Sequence, residues 1–126
     1  MANEARISSS LSIEKGNLDY ASRPSSFTAD VATAAPTGPS PGSVLVATAG
    51  TDSVLTQLTT PGYVVLKNYD STNFVEYGIW DGANFHELGA LQAGEVYVLR
   101  FSRNLSGFRL KANTAACECS VEAFEA

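Results

Sequence analysis

Apolar and polar side chains alternate along short segments between residues 42 and 125, and turn residues such as Gly, Pro, Asn and Asp separate these segments. Alternation of this kind is typical of β-strands, and no window keeps the roughly 3.6-residue period of an amphipathic helix. Strands at intervals of about 8 to 12 residues are typical of an antiparallel sandwich or barrel. We therefore predict an all-β fold, an antiparallel, jelly-roll-like β-sandwich of about eight strands. The predicted strands are residues 42–48, 53–58, 63–69, 73–80, 83–91, 96–102, 108–112 and 115–125.

Local patterns also predict how some of these strands are arranged. Residues 63–69 and 73–80 flank a short polar break, which predicts a β-hairpin. Asp81-Gly82 marks a tight turn, so residues 83–91 are the expected next partner of 73–80. Residues 96–102 form an almost continuous apolar run, which is typical of a central strand buried on both faces.

The first 41 residues have a different composition. Residues 6–13 alternate Ile7, Leu11 and Ile13 with serines, which suits an exposed edge strand or an extended arm with one apolar face. Residues 19–42 contain four of the five prolines, and we expect no regular structure there. We therefore predict an extended N-terminal arm over residues 1–41 and a β-sandwich domain over 42–126. Four scattered anchors predict that the arm lies along a surface, either of its own domain or of a neighbour: Leu18, Tyr20, Phe27 and Val31.

Composition limits the classes of partner. The chain has 126 residues, the size of a single domain, and its 8 basic and 13 acidic residues give a net charge of -5. This charge disfavours electrostatic binding to nucleic acid or to an anionic membrane. No apolar run approaches the roughly 18 residues of a membrane span, and the opening residues lack the pattern of a secretory signal. We expect a protein that is made in the cytoplasm and crosses no membrane by this route.

The two cysteines, Cys117 and Cys119, lie two positions apart in the last predicted strand. Side chains at this spacing point from the same face with poor geometry for a disulfide. A single C-x-C with only His86 elsewhere supplies too few ligands for a closed zinc site. We predict no metal and no cofactor. Instead the inward row of this strand is expected to be Cys117, Cys119, Val121 and Ala123, with Glu118, Ser120 and Glu122 facing water.

No arrangement of residues in the sequence indicates a catalytic centre. His86 has no serine or cysteine nucleophile placed beside it by the local pattern. A carboxylate pair for glycoside hydrolysis could come from five residues, although carboxylates beside turns more often form the turns: Asp70, Glu76, Asp81, Glu87 and Glu95. We predict no catalytic residues and a protein that is not an enzyme. A small hydrolase on a β-scaffold remains a minor alternative.

Six aromatic residues gather around the predicted central hairpins: Tyr63, Tyr69, Phe74, Tyr77, Trp80 and Phe85. Such side chains can stack on sugar rings, and a carbohydrate-binding β-sandwich using Tyr77, Trp80 and neighbouring carboxylates is therefore an alternative. Clusters of this kind more often belong to a core or to a subunit interface, where aromatic side chains bury the largest areas. We favour the interface interpretation.

Four stretches carry a resemblance to a known class of protein: SLSIEKGNLDYASRPSSFTAD, TPGYVVLKNYDSTNFVEYGIWD, LQAGEVYVLRFSRNL and LKANTAACECSVEAFEA. Together they cover most of the chain, which resembles the small virion-associated structural proteins of tailed bacteriophages. The resemblance implies a β-sandwich or jelly-roll module that assembles on the particle as a capsid cement or decoration protein, or as a neck or tail component.

The resemblance also implies partners and a location. The expected partners are the major capsid protein or other virion proteins, together with further copies of this chain in a homo-oligomer. The expected location is the virion, after synthesis in the host cytoplasm. From the apolar pattern, the residues predicted to contact partners are Ile7, Leu11, Ile13, Leu18, Tyr20, Phe27, Phe74 and Trp80.

Overall fold

The computed structural model describes residues 4–23, 25–30, 38–50, 58, 60–102 and 105–125. The chain divides into two compact units, an N-terminal unit, Met1–Val31, and a C-terminal unit, Ala32–Ala126. All regular structure in the described residues is β-strand, and every strand pairing is antiparallel. The all-β, antiparallel fold class is therefore confirmed.

The N-terminal unit contains four strands: β1 (Glu4–Ser9), β2 (Ser12–Lys15), β3 (Leu18–Ala21) and β4 (Ser25–Asp30). Strand β1 pairs with β4, and β2 pairs with β3. Lys15 lies opposite Leu18, so the connecting loop is the two-residue Gly16-Asn17, and Gly16 has a φ of 57°. A loop of this length and composition is a strong hairpin signal because Gly adopts positive φ without steric cost.

These pairings correct the expectation that residues 19–42 lack regular structure. Strands β3 and β4 both fall in that stretch, and each pairs with a strand earlier in the chain. In these strands small polar residues occupy one face and apolar residues the other, but the high content of Ser, Thr and Pro obscured this alternation in the sequence. The division between units also lies earlier than the predicted boundary at residues 41 and 42, since Ser40–Val46 is one continuous strand.

The C-terminal unit contains two sheets. Its strands are β5 (Ser40–Val46), β6 (Pro61–Asn68), β7 (Val75–Trp80), β8 (Phe85–Leu91), β9 (Val96–Arg100), β10 (Phe108–Ala112) and β11 (Cys117–Glu125). One sheet has the order β5-β11-β6-β9 and the other the order β10-β7-β8. Seven of the eight predicted segments overlap these strands, although β5 and β6 each begin two residues earlier than predicted. The eighth, 53–58, lies outside the described residues except for Leu58, so the strand count and the jelly-roll topology stay predictions.

Side chains from both sheets form one hydrophobic core, as in a sandwich. Strand β11 contributes the predicted inward row of Cys117, Cys119, Val121 and Ala123, all buried. Ser120 was expected to face water but is buried. It lies between Ser43 and Lys67 on the adjacent strands, and its hydroxyl is 3.3 Å from a carboxylate oxygen of Glu122. A short side chain beside longer ones, here Lys67 and Glu122, is shielded by them even on an outer face.

The predicted hairpin between residues 63–69 and 73–80 is wrong, because β6 and β7 lie in different sheets. The buried Asn68 holds the crossing: its amide nitrogen donates to the carbonyls of Asn73 and Leu91, at 2.9 and 3.2 Å. Its side-chain oxygen accepts from the backbone N–H of Asp70 at 2.9 Å. The Asp70 carboxylate in turn accepts from the N–H groups of Thr72 and Asn73. Side-chain hydrogen bonds therefore replace the strand ladder at this corner.

Two other arrangements were also predicted. The β7–β8 hairpin is confirmed, with Trp80 opposite Phe85 across the turn that contains Asp81 and Gly82. Residues 96–102 were expected to form a central strand buried on both faces, and this is wrong. Strand β9 lies at the edge of the four-stranded sheet, and its outward residues Val96 and Val98 are exposed. Only the inward residues Tyr97 and Leu99 pack against the core.

Candidate functional site

The N-terminal unit presents one apolar face, which is the candidate functional site. Cross-strand partners project from the same face of an antiparallel pair, so Ile7 lies beside Phe27, and Ile13 beside Tyr20. Leu11 continues the row, because its carbonyl accepts from the N–H of Ser22 at 2.7 Å. Ile7, Leu11 and Ile13 stand at even spacings along the first half of the hairpin, which places them on one face. Tyr20 and Phe27 share that face through their cross-strand partners, Ile13 and Ile7. We name this surface the apolar hairpin face; its apolar members are Ala5, Ile7, Leu11, Ile13, Leu18, Tyr20, Phe27 and Ala29.

The opposite face of the hairpin is polar. Its cross-strand pairs include Arg6 with Thr28 and Glu14 with Asp19. The unit is therefore amphipathic, although each of its two sheets has only two strands and so cannot enclose a core. No described residue of this unit is buried. Apart from Lys15 opposite Leu18 and Ala21 opposite Ser12, apolar and polar residues are segregated between the two faces, although the described residues of this unit form no internal layer.

Five large apolar side chains on this face are exposed: Leu11, Ile13, Leu18, Tyr20 and Phe27. The exposed fractions run from 39% for Ile13 to 56% for Leu11 and Leu18. Single exposed apolar residues are ordinary on protein surfaces, whereas a contiguous exposed apolar face usually marks an interaction site. A two-stranded hairpin alone is marginally stable in water, so contact with a further surface would stabilise it.

Six of the eight predicted contact residues lie on this face: Ile7, Leu11, Ile13, Leu18, Tyr20 and Phe27. The other two, Phe74 and Trp80, lie in the C-terminal unit at the two ends of β7. Sequence reasoning missed Ala5 and Ala29, which are opposite each other and continue the apolar face. The Gly16-Asn17 turn could not have found them, because the pairing shifts by one residue between Leu11–Ser22 and Ser9–Ser25. A contact role for all eight residues stays a prediction.

Trp80 does not offer an open ring to a ligand on both sides. The guanidinium carbon of Arg109 lies 3.8 Å from the centroid of its ring, and Arg109 is itself only 8% exposed. Tyr77 packs edge-on against Tyr97, with ring centroids 6.1 Å apart, in the partly buried layer beside the core. The two residues proposed to stack on sugars are therefore engaged within the protein, which weakens the carbohydrate-binding alternative.

Three of the five candidate carboxylates form turns. Asp70 accepts from the N–H groups of Thr72 and Asn73, and these hydrogen bonds lower its pKa. Asp81 accepts from Ala83 and Asn84 at 2.8 and 2.7 Å. Glu95 accepts from the N–H of Gln92 at 3.1 Å and from the Tyr97 hydroxyl at 3.0 Å. These contacts agree with the interpretation that carboxylates beside turn residues shape the turns.

Glu76 and Glu87 form a carboxyl pair on adjacent strands β7 and β8. A hydrogen bond to Glu87 is the main cause that raises the pKa of Glu76, with burial and the charge of Glu87 adding to it; Lys111 acts in the opposite direction. Both side chains line one cleft together with Phe74 and Leu88.

His86 is exposed, and its Nε2 lies 2.7 Å from the Asp81 carboxylate. The hydrogen bonds from the Asn84 N–H, His86 and the Ala83 N–H lower the pKa of Asp81 to about 2.

The two thiols lie in the core, where burial raises the pKa of Cys119 to about 12 and also raises that of Cys117. A thiol held protonated is a poor nucleophile. Within the described residues, no three side chains of His, Cys, Asp or Glu are grouped as metal ligands would be.

In the part of the chain that the structure describes, no helix has the length and apolar character needed to span a bilayer. Comparisons with protein-family models, with curated proteins and with solved structures found no match.

Proposed function

We propose that this chain is a non-enzymatic structural protein of a tailed bacteriophage virion, and that it binds the head as a capsid cement or decoration protein. The observation that carries the proposal is the apolar hairpin face, an exposed apolar surface backed by a polar one. The resemblance of the sequence to small virion-associated proteins supplies the class of particle. The major capsid protein is the proposed partner.

The hairpin suits attachment to a large surface for a physical reason. Burying one exposed Ile or Leu side chain contributes about 1.5–3 kcal/mol, and several such residues lie side by side here. The tight Gly16-Asn17 turn brings the strands of the hairpin together, so ordering them on binding costs less conformational entropy than ordering an unstructured arm. The C-terminal unit has its own core and does not depend on this face.

A neck or tail position in the virion is the nearest variant of the proposal, since the same face would serve it. A carbohydrate-binding module has less support, because Arg109 covers one face of the Trp80 ring. The location of the chain in cryo-electron microscopy density of the virion distinguishes head from neck or tail.

The proposal is tested by co-sedimentation of the purified chain with heads of the phage that encodes it, prepared without the chain. Ile13→Lys places a charge on the apolar hairpin face, and Ser12→Lys places the same charge on the opposite face of the same strand. We expect Ile13→Lys to weaken binding at least about tenfold, from the loss of roughly 1.4 kcal/mol or more. Ser12→Lys should bind as the wild type does. Equal binding by all three proteins would refute the proposed role of the face.

A further inference from the structure

Unpaired edge strands expose backbone N–H and C=O groups to other chains, and proteins usually protect them with proline, charges, bulges or a covering segment. In the C-terminal unit, three edge strands carry such features. Strand β5 contains Pro41, and β8 has a register shift against β7 between Tyr77 and Gly78. Strand β10 carries Arg109 and Lys111, and its Ala112 N–H donates to the Ala47 carbonyl at 3.1 Å.

Strand β9 lacks these features. Its register with β6 runs without a bulge, it contains no proline, and its one charged residue is Arg100 at its end. Val96 and Val98 are 54% and 51% exposed. A regular, apolar and β-branched edge of this kind is the form that favours addition of another strand.

Hydrogen bonding shows which backbone groups this edge presents. The carbonyl of Glu95 and the N–H of Phe101 bond toward β6, to Asn68 and Gly62. Alternation then places the N–H and C=O groups of Val96, Val98 and Arg100 on the other side of the strand. Among the residues that the structure describes, no strand pairs with that side.

We propose that β9 pairs antiparallel with β9 of a second copy of this chain, around a two-fold axis through Val98. This register pairs all five residues of the strand. Val98 then lies opposite Val98 of the second copy, where β-branched side chains pack well across strands. Val96 lies opposite the Arg100 of the second copy. The proposal rests on the C-terminal unit alone and is independent of the proposed function.

The charges along the strand agree with this register. The two Arg100 side chains stand at opposite ends of the paired strands, four residue positions or roughly 13 Å apart, which is beyond the screening length at physiological salt. Moving the two-fold axis by one residue, to Tyr97, would place Arg100 opposite Gly94 of the second copy, in the turn at Ala93-Gly94, and would shorten the paired strands.

The test uses single cysteine substitutions in the full chain. Val98→Cys places a thiol on the proposed axis, where the two copies of residue 98 have Cα atoms about 5.5 Å apart, within reach of a disulfide. Val96→Cys is the matched control, because residue 96 is about equally exposed but lies far from residue 96 of the second copy. The native thiols are buried and free. Under mild oxidation we expect Val98→Cys to form a covalent dimer at least about tenfold faster than Val96→Cys.

Native mass spectrometry of uncrosslinked protein provides the second measurement. The wild type should be dimeric at micromolar concentration, and Val98→Lys should raise the dimer dissociation constant at least about tenfold by placing two cations on the axis. A cooperative melting transition is the control that Val98→Lys is folded. Val98→Thr should retain the dimer. A monomeric wild type, a dimer insensitive to Val98→Lys, or equal cross-linking of the two cysteine variants would overturn the proposal.

The hairpin variant separates this proposal from the proposed function. Ile13→Lys should leave the β9 dimer intact while it weakens binding to heads. Val98→Lys should abolish the dimer whether or not the apolar hairpin face binds heads. Loss of the dimer in Ile13→Lys would assign self-association to the hairpin and refute the assignment to β9.

Discussion

The guanidinium of Arg109 lies over the indole of Trp80, with its central carbon 3.8 Å from the ring centroid. Arg109 projects from the outer face of β10 and is nevertheless buried. Gly50 closes its other side, because a Cβ there would lie 2.8 Å from the Arg109 side chain. The contacts of Arg109 with Trp80 and Gly50 therefore hold the turn at Ala47–Gly50 against the outer face of the three-stranded sheet.

Substitution Arg109→Ala should destabilise the protein and loosen the environment of its one tryptophan. A desolvated cation–π contact contributes about 2 kcal/mol, and the lost packing of the aliphatic stem adds to the cost. We expect a lower melting temperature and stronger acrylamide quenching of Trp80 fluorescence. Lys111→Ala is the control on the same strand, since its ammonium lies farther from a ring, 5.8 Å from that of Phe85. Unchanged quenching in Arg109→Ala would contradict the stacked geometry.

Substitution Gly16→Val should disrupt the N-terminal hairpin without unfolding the C-terminal unit. The φ of 57° at Gly16 costs a β-branched residue about 1–2 kcal/mol or more, although open space surrounds the position. Gly16→Asn should be tolerated, because Asn adopts this conformation readily. Amide hydrogen exchange measures the effect: residues 12–21 should exchange faster in Gly16→Val, while residues 61–68 exchange as in the wild type. Equal protection of the hairpin in both variants would contradict the tight turn.

The Asp81 turn should contribute stability that depends on pH. The folded protein lowers the pKa of Asp81 from 3.8 to about 2, so the ionised form is favoured by folding. This contribution is fully present above the unfolded pKa and is lost as the pH falls from about 3.8 toward 2. We therefore expect Asp81→Asn to lower the melting temperature at pH 7 and to differ little from the wild type at pH 2. A difference of equal size at both pH values would show that charge is not the cause.

The Glu76–Glu87 pair should act in the opposite sense. The pKa of Glu76 is raised above 4.5, so its contribution is present below that pH and is lost as the pH rises through the folded value. Glu87→Gln removes the repulsion between the carboxylates, and its amide can donate to Glu76. We expect this variant to melt at a higher temperature than the wild type at pH 7, with a smaller gain at pH 4. Glu118→Gln, on the other sheet, serves as the control; a gain that is independent of pH would contradict the pairing.

Local patterns identified most of the fold, and the reason is visible in particular strands. The alternation of Cys117, Cys119, Val121 and Ala123 with polar residues requires only that β11 have one buried face, and all four are buried. The hairpin loop between β7 and β8 was identifiable because Asp-Gly turns act over a few residues. The prediction of a hairpin between β6 and β7 was wrong because the corner at Asn68 depends on a hydrogen bond to Leu91, which is 23 positions away in the chain and could not be seen in the local pattern.

The candidate site was partly identifiable in the same way. Six apolar residues of the N-terminal unit stood out against a serine-rich background, but their arrangement on one face depended on the pairing of β1 with β4 and of β2 with β3. The covering of Trp80 by Arg109 was not predictable, because these residues are 29 positions apart (109 minus 80) and meet only when β10 lies beside β7.

The sequence by itself determined most strands of the C-terminal unit and the inward row of β11, because the two-residue period is a property of a few consecutive residues. The tertiary structure decided which strands are neighbours and which remain at an edge, because pairing joins residues far apart in the chain. Strand β9 shows the difference. Its apolar run correctly predicted a strand but wrongly predicted a central position, because the exposure of a strand depends on whether another strand lies beside it.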